Sequence, residues 1–283
     1  MINKTYKIRI GVILGLDIDQ KAVPPLKFLI LHLNSLQTYF EYEFLPTIQD
    51  PTLTELATKE ILDRQQTRKS LLSFVDRYEN FLNRQRKSYK LEKTEQLPDA
   101  YILISLIRFQ DEYYLTGVKK LGIIALGNWK RLMAPPSILE FLLTMVLIES
   151  VYLLGWMEDL SHLGTKGCLF DFNAELENAR YGVLQSFICS NCRNALANAG
   201  HLTLADELVK ISTKSWLGVS TDPSSPAGII SNFNYDLFLT KGLKPTFGER
   251  TLQILQTDGI KELIKLIAAI ILAGALFYLQ WKK

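Results

Sequence analysis

The sequence predicts an α/β (α+β) fold: a mixed sheet packed by helices, with a long core helix, a structural zinc knuckle and a C-terminal transmembrane helix. Three observations carry this expectation. Tyr6 to Phe44 reads strand, helix, strand, the opening of an α/β layer fold. Ile138 to Gly155 is apolar nearly all round, the pattern of a helix buried on every side. Ser161 to Leu196 holds all three cysteines and one of the three histidines.

Tyr6 to Gly15, YKIRIGVILG, alternates and then becomes continuously apolar, as a strand entering a covered sheet does. After a turn at Asp17 and Asp19, Pro24 and Pro25 start a helix whose Leu26, Leu29, Ile30 and Leu33 share one face through Gln37. Tyr39 to Phe44 is the second strand. Asp50-Pro51-Thr52 then opens a long helical region over Thr54 to Leu91, in which Leu71, Phe74, Val75, Tyr78 and Phe81 follow helical spacing. Ten basic residues face five acidic ones between Lys59 and Lys93. That imbalance fits a plain solvated helix face, the preferred reading, with a patch for acidic partners or lipid headgroups as the alternative.

Leu97-Pro98-Asp99 ends the helical region, and Ala100 to Ile107 has the composition of a central strand. Tyr113 to Thr116 and Leu121 to Leu126 read as one or two further strands. Pro135-Pro136-Ser137 caps the helix from Ile138 to Gly155, and Glu140 and Glu149 place that helix in the protein core, since carboxylates are costly at membrane depth. Phe187 to Ala199 enters a short helix, and Leu204 to Ile211 continues helically. Gly218 to Phe247 is rich in Gly, Pro, Ser and Asn. The expected organisation is therefore a zinc-binding domain over 1–215 with a helical insertion at about 54–92, a flexible linker over 216–258, and a membrane tail over 259–283.

With 283 residues, 48% of them apolar, the chain can bury one sizeable core. A net charge of +3 is too small to point to nucleic acid, and the basic helix lacks the interleaved aromatics that would support it. The first residues carry no signal-peptide pattern. From Leu263 to Trp281 only Lys265 and Gln280 are strongly polar. As a helix this run is about 28 Å long, close to the hydrocarbon thickness of a bilayer. Lys261 and Lys265 can snorkel at one end, with Tyr278, Trp281, Lys282 and Lys283 at the other interface. The expectation is a single-pass membrane protein with its main domain in the cytoplasm, against a competing reading as an amphipathic or buried terminal helix. Ala268, Ala269, Ala273, Gly274 and Ala275 would permit close helix contact and homo-oligomers.

The cysteines and histidine are spaced His162-x5-Cys168-x20-Cys189-x2-Cys192. Two soft sulfur ligands two residues apart grip one ion in a tight knuckle, and a distant His/Cys pair completes the tetrahedron that zinc prefers. Four protein ligands leave no open position, so this is read as one structural Zn2+ held by His162, Cys168, Cys189 and Cys192. The alternative is three unrelated buried thiols and a surface histidine. The clustering fits a reducing compartment better than a disulfide scaffold.

Helix, histidine, GCLFDF and then ICSNCRNAL, in that order, resemble the archaemetzincin branch of the metzincin metallopeptidases over about Tyr101 to Leu196. The resemblance implies a helix carrying HExxHxxGxxH, which supplies the catalytic zinc ligands, followed by a cluster binding a second, structural zinc. Aligned on that motif, Glu149 falls at the general-base position and Gly155 at the turn glycine, but Ile148 and Tyr152 stand where the two helix histidines belong. Glu158 falls at the third ligand position, and His162 stands in for the first cysteine of the cluster. Without two imidazoles on one helix face no ion is held to acidify water. Catalytic residues are therefore expected to be none, with Glu149 the weak candidate, either as an acid or base or as a carboxyl hydrogen-bonded to backbone or a Tyr hydroxyl. His32, on the polar side of its helix, and His201, in a connection, complete no catalytic set. The glycines at Gly11, Gly15, Gly117, Gly122 and Gly127 form no nucleotide fingerprint.

The expected function is a membrane-anchored, non-catalytic pseudo-metallopeptidase that binds a protein or peptide partner beside a sheet edge. A sharper version is a membrane effector of a bacterial phage-defence system. The alternative is an active zinc peptidase with an unusual ligand set drawn from Glu149, Glu158 and Asp159.

Overall fold

The computed structural model describes residues 7–91, 96–127, 129, 133–155, 167–173, 175–235 and 237. All of these belong to one compact unit, Met1–Leu243. His162, Glu158, Asp159 and the Leu263 to Trp281 run lie outside the described residues.

A five-stranded sheet of order β2-β1-β4-β7-β6 organises the chain. Its strands are β1 (Ile8–Leu14), β2 (Phe40–Phe44), β4 (Ala100–Ser105), β6 (Leu115–Val118) and β7 (Leu121–Ala125). The first four positions in that order are parallel, with Ile10 opposite both Tyr42 and Ala100; β6 alone runs antiparallel, at the edge, with Gly117 opposite Gly122. Parallel central strands need helices on both faces, and the side chains alternate accordingly. Along β4, Ala100, Ile102 and Ile104 pack toward α1 (Val23–Leu36) and α4 (Ile138–Leu153), whereas Tyr101 and Leu103 pack toward α2 (Pro51–Thr58) and α3 (Arg64–Ser88).

The α4 helix is buried from Ile138 through Val151, apart from a half-buried Glu140, so its uniformly apolar surface is satisfied by protein. It starts at a capping box: the Glu140 amide donates to Ser137 Oγ at 3.2 Å and the Ser137 amide donates to Glu140 Oε2 at 2.7 Å. It ends at Gly155, whose φ of 68° suits a residue without a Cβ. Among the described residues no helix is long and apolar enough to cross a membrane.

Three expectations change. The helical region after Asp50 is two helices, because Asp63 caps a fresh start by accepting from the Gln66 amide (2.6 Å), and the two-residue strand β3 (Ile61–Leu62) pairs with β5 (Arg108–Phe109). Its buried stripe runs through Thr67, Leu71, Phe74, Val75, Tyr78 and Leu82, with Phe81 only half-buried; the charged residues occupy the other side. Helix α5 (Leu176–Gln185) was not expected. The stretch assigned to a linker contains, in its described part, a 3-10 turn (Ser215–Leu217) and α8 (Pro226–Asn232), which buries Ala227 and Ile230. The expected short helices after the knuckle are α6 (Ser190–Asn198) and α7 (Leu202–Ser212).

Candidate functional site

Two features meet beside α4. The first is the thiol cluster. Cys189 is the N-cap of α6 and Cys192 lies in its first turn, while Cys168 forms a single parallel bridge with Phe187 and accepts a hydrogen bond from the Cys189 amide at 3.4 Å. All three are buried and none is in a disulfide. Their Sγ atoms lie within 4.8 Å of one another, and the Cys168 and Cys192 sulfurs are 3.8 Å apart in a thiol hydrogen bond. That bond from Cys192, with the Cys189 amide, holds the Cys168 thiol well below its usual range, and the same contact pushes Cys192 up.

This donor set fits a tetrahedral ion. Two sulfurs each about 2.3 Å from a tetrahedral zinc stand about 3.8 Å apart, the separation of the Cys168 and Cys192 pair and far longer than a disulfide. The structure thus brings together three of the four expected ligands and gives a cluster able to hold a metal ion; His162 lies outside the described residues.

The second feature is a cavity of about 410 Å³ beside the edge strand. One wall is β6 with Tyr113 and Tyr114 before it. Another is α4, which presents Ile148, Glu149 and Tyr152; the turn from Cys168 to Asn173 and helix α5 supply the rest. That turn is closed by the Asp171 amide on the Cys168 carbonyl (3.1 Å) and the Gly167 amide on Asp171 Oδ2 (2.9 Å). Helix α5 packs tightly on it, since a Cβ at Gly182 would lie 2.9 Å from the Cys168 carbonyl oxygen.

Glu149 lines this cavity from α4 and is only 5% exposed. Its carboxyl lies against the cross-strand pair Gly117 and Gly122: a Cβ at 122 would overlap Oε1 and come within 2.6 Å of Cγ, and one at 117 would be 3.6 Å from Oε1. Burial pushes the carboxyl up to about 8. Among the described residues no hydrogen bond reaches it, so the expected backbone or tyrosine partner is not found. The nearby hydroxyls are used differently: Ser150 Oγ donates to the Val146 carbonyl (2.7 Å) and meets Tyr42 Oη (3.0 Å).

Ile148, Glu149 and Tyr152 of α4 thus line one cavity as an isoleucine, a carboxyl and a tyrosine. Neither described histidine is near: His32 stacks between Phe28 and Trp216, and His201 lies against Tyr39. Sequence reasoning missed Gly117 and Gly122, although a glycine inside a strand pattern often marks a close approach. It also missed Asp171 and Asn173, which line the cavity from a turn with no periodic signal. No protein-family model, curated protein or solved structure matches this chain.

Proposed function

We propose that the domain is a non-catalytic pseudo-metallopeptidase, related to the archaemetzincins, that binds an extended peptide or protein segment along β6. The observation that carries the reading is the makeup of the cavity at α4, where Ile148 and Tyr152 stand beside Glu149. Isoleucine and tyrosine supply no imidazole, so the cavity lacks the pair of helix ligands that would hold a hydrolytic ion. What remains is a half-apolar groove beside a strand that has no partner on its outer edge among the described residues. A peptide that hydrogen-bonds to such an edge gains affinity from its main chain and selectivity from alternate side chains.

In this reading Cys168, Cys189 and Cys192, with His162 as fourth ligand by resemblance, would hold one structural zinc. The ion would tie the turn that walls the groove to the start of α6, and it would take no part in chemistry. The tail from Leu263 to Trp281 would place the groove at a membrane, where a partner bound by the domain could be coupled to helix association, as a phage-defence effector requires.

Metal analysis of the full chain purified without chelator tests this. One zinc per chain, lost in Cys189→Ser/Cys192→Ser, is expected, together with no hydrolysis of casein. No zinc would remove the structural site. Two metals with casein hydrolysis abolished by Glu149→Gln would replace the binding module with a peptidase.

A further inference from the structure

We propose that the cavity takes a lysine or arginine side chain of the bound peptide, with the Glu149 carboxyl as its buried partner. This rests on the strand-addition reading and names what the groove selects.

The geometry supplies the reasons. Glu149 is buried, reaches no hydrogen-bond partner among the described residues, and borders the cavity with its carboxyl resting on the glycine pair Gly117 and Gly122. A buried carboxyl in that condition costs free energy until a donor arrives, and a cation supplies both the hydrogen bond and the charge. The described cations around the cavity are engaged at its outer side. Arg68 donates to Thr116 Oγ1 (3.4 Å), and Lys119 pairs with Asp76 (3.1 Å). Asp171 adds a second carboxyl to the lining.

The edge strand sets the direction. Leu115 and Gly117 face the α4 side of the sheet and Val118 the α3 side. A residue of an added strand lying beside Gly117 on the α4 face would project over a position with no side chain, directly toward Glu149. The rings of Tyr113, Tyr152 and Phe172 border that route and suit the methylene stem of a long cation.

The test uses the full chain and blocked eight-residue peptides of alternating Val and Thr, with each position replaced in turn by Lys, Arg, norleucine or Glu. Binding is measured by isothermal titration calorimetry. At one position Lys and Arg should bind at least tenfold more tightly than norleucine, and Glu should bind most weakly. In Glu149→Gln the preference for Lys and Arg should fall to within twofold while the norleucine peptide keeps its affinity. Gly117→Val, which leaves the carboxyl in place and fills the route to it, should also abolish the preference. Equal binding of lysine and norleucine peptides at every position would overturn the cation site and leave the groove standing. Failure of every peptide to bind would overturn the groove itself and this inference with it.

Discussion

Glu149→Gln should make the protein markedly more stable at pH 8 and leave it nearly unchanged at pH 5. The carboxyl titrates near 8 in the folded chain against an ordinary value of 4.5, because burial disfavours its charged form. Between those two values the folded chain holds a proton that the unfolded chain has lost. The proton-linked stability is therefore intact below about pH 4.5 and drains away as pH rises toward 8. Integrating the linkage relation gives a loss of roughly 4 kcal/mol at pH 8 and under about 1 kcal/mol at pH 5. A glutamine has the shape of the protonated acid and no charge to titrate. Urea unfolding of native and Glu149→Gln chains at half-unit steps from pH 5 to 9 should give midpoints that coincide at pH 5 and separate steadily above it. Parallel profiles, offset by a constant, would show that Glu149 is solvated or paired in the folded chain and would remove the basis for treating its carboxyl as buried and unpartnered.

Four other outcomes are expected. Gly122→Ala should destabilise by about 1–3 kcal/mol through overpacking against the Glu149 side chain, and Glu149→Ala should relieve most of that cost; additive effects in the double mutant would show that the two residues do not touch. Cys192→Ser should lower the melting temperature of metal-loaded protein and leave chelator-treated protein nearly unaffected, as followed by calorimetry. Ser137→Ala should cost about 1 kcal/mol in urea unfolding by removing the capping box of α4. Overexpression of the full chain under triggering conditions should be toxic to cells, and a stop codon before Leu263 should abolish that toxicity; a harmless full-length chain would count against a membrane effector.

The parts of the fold legible in the sequence are those whose pattern is local. Strands β1 and β4 are short apolar runs, α1 shows a clean helical stripe, and α4 announces its start with Pro135-Pro136-Ser137. The break between α2 and α3 is hard to read because β3 is fixed by pairing with β5, 47 residues further along. Helix α5 hides behind an internal Gly182, which its packing against Cys168 requires but which weakens the helical signal. In α8 the Ser225 cap and Pro226 are helix-start signals, yet in a stretch rich in Gly, Pro and Ser they read as linker. The site divides the same way. The thiols are visible from spacing alone, and Glu149 from its isolation on an apolar helix. The glycine pair beneath it depends on the register of β6 against β7, which no single stretch records.

The position of Cys168 and Cys189 at the two ends of one segment would give an ion held by the thiols a second effect. An ion bridging them closes a loop of about twenty residues and removes chain freedom from the unfolded state, an effect on the order of 3 kcal/mol if it behaves like a disulfide of that span. That loop contains Leu169, Asp171, Phe172, Asn173, Ala179 and Val183, one whole side of the cavity. Withdrawing the ion would slacken this wall while the sheet and α4 stay folded, so the grip on a bound segment should loosen before the domain unfolds. Metal supply would then act on the groove as a tension control.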